Sequence, residues 1–197
     1  MASAANSVER ERELNSLSVF TVIVALATVT MTFGAIIAAF LIRSQASRFW
    51  TPITLPRLLW ATTAVLLASS ATLESARRRL RSNDQPGGFR FMAYTGGLGL
   101  VFLLGQLAAW LEILHRGVIL VRNPHSWFIF LFTGLHGLHI LVGLAGIGYL
   151  LFRTREPASG PRYQMNTRVV ANGVSIFWHY LDFIWIVLFA LLLAWRR

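Results

Sequence analysis

The sequence predicts an all-α polytopic membrane protein, a bundle of five transmembrane helices. Its 197 residues are 55% hydrophobic and only 13% charged, about half the charged share of an average soluble domain. The charged residues separate long apolar runs, and a run of about 20 apolar residues is enough to cross a bilayer. These features together predict a single membrane domain that covers residues 1–197.

Five apolar segments define the predicted spans, and each is followed by arginine. Their limits are about 19–42, 57–75, 90–112, 126–152 and 173–195. The first has 24 uncharged residues and many small side chains, which favour close helix packing in lipid. The second has only 16 uncharged residues between its flanking charges. Snorkelling arginine side chains and local bilayer thinning must therefore absorb part of its mismatch with the membrane.

Glycine and proline mark the later part of the chain. The fourth span contains five glycines, so it is predicted to pack closely against its neighbours. Segment 82–88 contains proline, asparagine and a glycine pair, which predict a turn. Segment 153–172 contains four arginines and two prolines and is predicted to be a loop.

The arginine distribution predicts the orientation of the chain. All 18 basic residues are arginine, and nearly all lie in loops or at helix ends. With a cytoplasmic N-terminus and an external C-terminus, the inside segments hold 11 arginines and the outside segments hold 7. Positively charged loops favour the cytoplasmic side, so this orientation is predicted. The net charge of +10 is thereby explained without a nucleic-acid partner.

The fifth span contains polar residues within its apolar run. Residues 177–185 have the sequence F-W-H-Y-L-D-F-I-W. His179 and Asp182 are three residues apart, so they share one helix face. A carboxylate inside a membrane helix costs at least ~2.5 kcal/mol on insertion scales, so Asp182 is expected to face protein or water. Trp178 and Trp185 are predicted to pack beside this face.

The fourth span contains a second polar pair, His136 and His139, again three residues apart. We expect these two residues to form one buried polar cluster with His179 and Asp182 between the last two helices. A haem or metal site, a proton relay and a structural set of interhelical hydrogen bonds are the three alternatives. The structural alternative is favoured, because a haem site needs a longer spacing within each helix and a non-haem site needs more carboxylates. No catalytic residue or metal ligand is predicted, and the chain has no cysteine.

Two motifs resemble subunit III of the haem–copper terminal oxidases, the cytochrome c oxidase family. Residues 133–139, T-G-L-H-G-L-H, followed by Gly143, are similar to the family pattern T-G-x-H-G-x-H…G. Residues 177–185 are similar to its pattern Y-W-H-F-V-D-x-x-W. A weaker resemblance extends over most of the chain, which is similar to the five-span bacterial form.

The resemblance implies a non-catalytic accessory subunit of an oxidoreductase complex in the bacterial inner membrane. That complex would reduce oxygen to water with cytochrome c as electron donor. Haem and copper would belong to the partner subunits I and II. This chain would bind no redox centre, stabilise subunit I, hold phospholipid and support proton uptake. Many members have an intramembrane glutamate in the first of these spans, and the aligned position here is Thr28.

Other functions remain open from the sequence. Members of the same family also serve nitric-oxide reductases and quinol oxidases, so the electron donor and acceptor are not determined. A stand-alone small membrane transporter is the alternative from another class. It would require an aqueous path along the His and Asp residues, and the lack of charged residues inside spans one to three argues against it.

Overall fold

Five long helices make up nearly all of the chain that the computed structural model describes, which is residues 2–46, 55–82, 84–117, 124–155 and 161–194. The helices are α1 (Ala2–Ala46), α2 (Leu58–Arg81), α3 (Gln85–His115), α4 (Pro124–Arg155) and α5 (Pro161–Ala194). The prediction of an all-α fold is confirmed.

Helices α2 to α5 form a closed bundle, and α1 packs on its outside against α4 and α5. Pairs of residues that contact one another across two helices show the relative directions of those helices. Ser69 bonds to Trp178 and Thr63 bonds to Trp185, so α2 and α5 are antiparallel. Thr30 of α1 bonds to Tyr180, and the earlier Val22 lies against the earlier Gly173, so α1 and α5 are parallel. The start of α1 and the C-terminal end of α5 therefore lie at opposite ends of the bundle.

Four of the helices are long and apolar enough to cross a membrane. Their apolar segments are Val19–Ala46, Gln85–His115, His125–Arg153 and Val169–Ala194. A chain with several such segments is a multi-pass membrane protein, as predicted. Helix α2 is not among them, although its 24 residues are long enough. The count of five spans and the orientation of the chain remain predictions.

Helix α2 has a lower hydropathy because it contains several threonines and serines and charged residues near its C-terminal end. Its buried positions recur every three or four residues, as expected for one helix face. That face includes Thr62 and Ser69, which are both buried between helices. The helix also ends in Arg78, Arg79 and Arg81. Low hydropathy in α2 thus reflects inward polar contacts together with an arginine-rich end.

Two predicted connections are wrong in part, because helices begin inside them. Helix α5 starts at Pro161, so most of the predicted loop 153–172 is helical. A proline is tolerated in the first turn, where its missing N–H has no helical partner to lose. Helix α3 starts at Gln85, and the side chain of Asp84 caps it by accepting from Gly87 N at 3.0 Å. The predicted end of the fifth span at residue 195 lies outside the described residues.

Candidate functional site

The interface between α2 and α5 is held by hydrogen bonds from tryptophan to hydroxyl groups. Nε1 of Trp178 donates to Ser69 Oγ at 3.0 Å, and Nε1 of Trp185 donates to Thr63 Oγ1 at 2.9 Å. Both indole side chains are buried. Because the two tryptophans are seven residues apart, or two helical turns, they lie on the same face of α5. They set the register of α5 along α2.

The indole of Trp178 lies directly on the backbones of α3 and α4. A Cβ added at Gly99 would lie 2.8 Å from Cη2 of Trp178, and one added at Gly143 would lie 2.9 Å from its Cε3. A Cβ at either position would force the ring or a helix to shift, so the two glycines allow this close approach. Trp178 therefore joins three helices, α2 through its hydrogen bond and α3 and α4 through ring contacts.

A chain of three polar side chains runs from the surface of α5 to its buried side. The hydroxyl of Ser70 donates to Oδ2 of Asp182, and Nδ1 of His179 lies 3.1 Å from Ser70 Oγ. Asp182 is only 5% exposed, whereas His179 lies at the bundle surface. Oδ1 of Asp182 has no hydrogen-bond partner among the described residues. Ser70 thus connects an exposed imidazole with a buried carboxylate.

The histidines of α4 lie among aromatic rings instead. His136 is fully buried, and its ring centroid lies 5.0 Å from that of Trp185 and 5.7 Å from that of Phe102. Neither ring nitrogen of His136 meets a hydrogen-bond partner in the part of the chain described. His139 donates from Nδ1 to the Leu135 carbonyl oxygen at 2.7 Å, and its ring packs against Phe33 of α1.

The structure does not bring the four predicted polar residues into one cluster. His179 and Asp182 are joined through Ser70 of α2, and His136 and His139 face α1, α3 and Trp185. The predicted burial of His179 is wrong, because that side chain lies on the outer side of α5. The functional role of these residues remains a prediction. Within the described ranges, no three His, Asp or Glu side chains are grouped so that they could hold a metal ion.

The serines and threonines of α2 form interhelical hydrogen bonds that the sequence analysis did not predict. Besides Ser69 and Ser70, α2 provides Thr62, which accepts from Nε2 of Gln106 at 3.3 Å, and Thr72, which bonds to Thr95 at 2.9 Å. The available signal was the pair Thr62–Thr63 followed seven residues later by the pair Ser69–Ser70. Two such pairs on one face of the least apolar helix indicate an interhelical polar interface.

The arginine-rich end of α2 is neutralised in part by nearby carboxylates. Nε of Arg77 and Nε of Arg78 lie 2.8 and 3.0 Å from the two carboxylate oxygens of Glu74. Arg79 Nη1 lies 2.8 Å from Asp84 Oδ2. Two arginines that share one carboxylate leave this end with a net positive charge.

The carboxyl group of Asp84 lies outside the apolar segments, in the turn between α2 and α3. The Gly87 N–H, and then the hydrogen bond from Arg79, hold the pKa of Asp84 below its usual range. Both donors favour the ionised form, which is the form that caps α3.

Comparison with known proteins decides the family. The family model described as cytochrome c oxidase subunit III matches residues 17–197. The chain belongs to the cytochrome c oxidase subunit III family. Cytochrome c oxidase subunit 3 of Synechocystis is 29% identical over 179 residues, covering 89% of this chain and 74% of the relative. That of Thermostichus vulcanus is 28% identical and covers 94% and 91%. The probable subunit 3 of Mycobacterium leprae is 34% identical and covers 90% and 87%.

The subunit III motifs lie on two helices that pack side by side. Residues 133–139 belong to α4 and residues 177–185 belong to α5. Gly143, at the end of the first motif, contacts Trp178 of the second. Thr28 is exposed on α1, and its hydroxyl donates to the Val24 carbonyl oxygen at 2.9 Å.

Proposed function

We propose that this chain is a non-catalytic accessory subunit of a respiratory haem–copper oxidase that reduces oxygen to water with cytochrome c as electron donor. The observation that carries the proposal is the subunit III match over residues 17–197. The match includes α4 and α5, which carry the polar residues, and the glycines that contact Trp178. The relatives bear the name cytochrome c oxidase subunit 3, which supports the choice of complex.

In this proposal the redox chemistry belongs to the partner subunits. Subunit I, with subunit II, holds haem and copper, and this chain stabilises subunit I and supports proton uptake. Its buried polar residues pair mostly with hydroxyl groups and tryptophans of neighbouring helices, an arrangement suited to fixing helix packing. We assign a structural role to His136, His139, His179 and Asp182: the first two pack through their rings, and the last two bond to Ser70 of α2.

Lipid is the second proposed partner. An apolar groove of about 390 Å³ lies between α1, α4 and α5, and Ala25, Val142 and Phe177 are among its lining residues. Helix α1 is the least covered of the apolar helices, since only 11% of its most apolar stretch is buried, against 44% in α5. An acyl chain of a phospholipid matches the apolar lining of this groove.

The proposed topology is five crossings of a bacterial inner membrane, with the N-terminus in the cytoplasm and the C-terminus outside. Two observations support it. The contacts between helices are those of an up-and-down arrangement, in which α1 and α5 run parallel. The arginine excess, 11 against 7, favours a cytoplasmic N-terminus.

Purification of the tagged full chain in a gentle detergent tests the function. We expect large membrane subunits to co-purify, with haem absorption bands and oxygen uptake driven by reduced cytochrome c. The same tag on an unrelated multi-pass protein of the same membranes provides the background. Turnover with quinol or nitric oxide instead would assign the chain to another oxidase or to a nitric-oxide reductase. A colourless, monodisperse lone protein would contradict the proposal and favour a stand-alone transporter.

A further inference from the structure

His179 is exposed at a depth where the surrounding membrane offers it no partner. It lies ten residues into the apolar segment Val169–Ala194. At 1.5 Å per residue this places it about 15 Å from the start of the segment. The hydrocarbon core of a bilayer is about 30 Å thick, so His179 lies inside it. Polar side chains at this depth face protein or a cavity rather than lipid.

The hydrogen bonds behind His179 determine what its outer nitrogen can do. Ser70 has one hydroxyl proton, which it donates to Asp182. Its oxygen therefore accepts from Nδ1–H of His179, at 3.1 Å. A neutral imidazole with its proton on Nδ1 has a lone pair on Nε2. No described residue meets Nε2, so the bundle presents a hydrogen-bond acceptor to the outside.

The surface around His179 is an apolar valley. Ile176, Phe183 and Ile186, which lie on the same side of α5, are 48%, 59% and 46% exposed. Helix α1 packs along one flank of this stripe, through Tyr180, and α2 packs along the other, through Asp182. Over the described ranges α1 and α2 do not contact one another. The exposed stripe of α5 formed by Ile176, Phe183 and Ile186 therefore lies at the bottom of the valley between them.

We propose that this valley is where a transmembrane helix of the catalytic partner subunit packs, with a hydrogen-bond donor directed at Nε2 of His179. The inference rests on the proposed function, since it needs an oxidase partner. Apolar side chains of the partner helix cover Ile176, Phe183 and Ile186. A hydroxyl, amide or indole donor of that helix bonds to Nε2 of His179. The valley and the fixed acceptor together define both the position and the chemistry of the contact.

Two other occupants fit the valley less well. A lipid acyl chain covers the apolar residues but leaves the Nε2 lone pair without a donor, and a lipid headgroup lies about 15 Å away. A second copy of this chain packed symmetrically on the same face would present the same exposed stripe, Ile176, Phe183 and Ile186, and none of these side chains has a hydrogen-bond donor. The Nε2 lone pair of His179 would then meet apolar side chains and stay without a donor.

Site-directed photo-crosslinking tests the proposed position while keeping His179 intact. Phe183 is replaced by p-benzoylphenylalanine in the full chain, expressed with its oxidase partners in their native membranes. Matched controls carry the probe at Leu104 of α3 and Val142 of α4, which are 65% and 58% exposed on other faces. We expect light to join position 183 to the catalytic subunit, and positions 104 and 142 not to do so.

The crosslinking outcomes separate the interface from the function. If the oxidase subunits co-purify but position 183 captures only lipid or a second copy of this chain, the valley is not the interface. If they co-purify and only position 104 or 142 captures the catalytic subunit, the interface lies elsewhere. In both cases the proposed function stands. If no oxidase subunit co-purifies with the wild-type chain, the proposed function fails and this inference fails with it.

Substitution of His179 tests the hydrogen bond. We expect His179→Leu to reduce the amount of catalytic subunit retained in detergent by about 3- to 18-fold, the range for one interhelical hydrogen bond in a membrane. His179→Gln keeps an acceptor and should stay within about twofold of wild type. Thermal unfolding of each isolated variant checks that the chain itself is folded. Equal retention by the leucine and glutamine variants would refute the donor contact.

Discussion

The interface between α2 and α5 and the histidine region of α4 bury polar side chains by two different means. Between α2 and α5, the buried tryptophans donate to Ser69 and Thr63, and Asp182 accepts from Ser70. Around His136 there are aromatic rings and, among the described residues, no hydrogen bond to either ring nitrogen. One region is held by directional bonds and the other by ring packing.

This difference predicts how each region responds to substitution. Hydrogen bonds between helices fix which residues face one another, so a lost partner leaves a buried polar atom without a bond. Ring packing depends on shape, so a ring of similar shape can replace the original. Trp185 belongs to both regions, because it donates to Thr63 and packs on His136.

The largest expected effect is that of Trp178→Ala at the α2–α5 interface. The substitution removes a fully buried indole and the bond to Ser69, and it leaves a cavity against α3 and α4. Loss of a buried tryptophan lowers the free energy of unfolding by about 3–5 kcal/mol. Equilibrium unfolding in mixed micelles measures it. Trp127→Ala, at a side chain that is 56% exposed, is the control and should cost less than about 1 kcal/mol.

Two glycines of α3, Gly99 and Gly97, differ in whether a side chain added there would meet Trp178. An alanine Cβ at Gly99 would meet Trp178, whereas one at Gly97 has no atom within 4 Å. We expect Gly99→Ala to lower the free energy of unfolding by about 1–3 kcal/mol through overpacking. Gly97→Ala should instead raise it by about 0.5–1 kcal/mol, because alanine is the better helix former. The same unfolding assay would contradict this account if both variants changed stability in the same direction.

The Asp182→Asn variant tests whether the directional bonds serve structure or proton transfer. An asparagine side chain can still accept from Ser70, but the carboxylate charge is gone. We expect a loss of about 0.6–2 kcal/mol in helix packing, modestly weaker assembly, and initial oxidase turnover near that of wild type. Turnover and proton uptake are measured on the purified complex. An immediate and complete loss of proton uptake in an intact complex would assign Asp182 to a proton path.

For the ring-packed region we expect His136→Phe to be neutral or to stabilise by up to about 1 kcal/mol. Phenylalanine keeps a ring beside Trp185 and Phe102, and it removes two buried nitrogens that lack partners among the described residues. His136→Ala is the control and should destabilise, since it opens a cavity. A phenylalanine variant that assembles fully but takes up no protons would favour a relay over packing.

Much of the fold was predictable, because apolar length alone marks four of the five helices. Helix α2, the remaining predicted span, is less apolar for a physical reason. Its hydroxyls lower its hydropathy, yet they are bonded inside the bundle through Thr62, Thr63, Ser69 and Ser70. The beginning of α5 at Pro161 was missed because proline suggests a loop, although the first turn of a helix accepts it.

The site was predictable only one helix at a time. A spacing of three places His136 with His139, and His179 with Asp182, on one face of each helix. The spacing does not show how each helix is rotated about its axis, or which neighbouring helix that face meets. His179 lies outside and His136 inside for that reason, although their spacing patterns are the same. The arrangement of all five helices decides this.

The smallest expected effect comes from Asp84→Ala, which compares a capping carboxylate in the connecting turn with Asp182 inside the bundle. Asp84 binds Gly87 N and Arg79, and its pKa is lowered in the folded chain. Its contribution to stability is therefore complete above the unfolded pKa of about 4 and declines as the pH falls through the lower folded value. The variant should unfold at a lower temperature at pH 7, and its difference from wild type should shrink in acid. Asp84→Asn, which keeps a capping oxygen without charge, should lie between them at pH 7 and converge with wild type at low pH. A difference between wild type and Asp84→Ala that stays constant from pH 7 into acid would show that ionisation of Asp84 does not stabilise the turn.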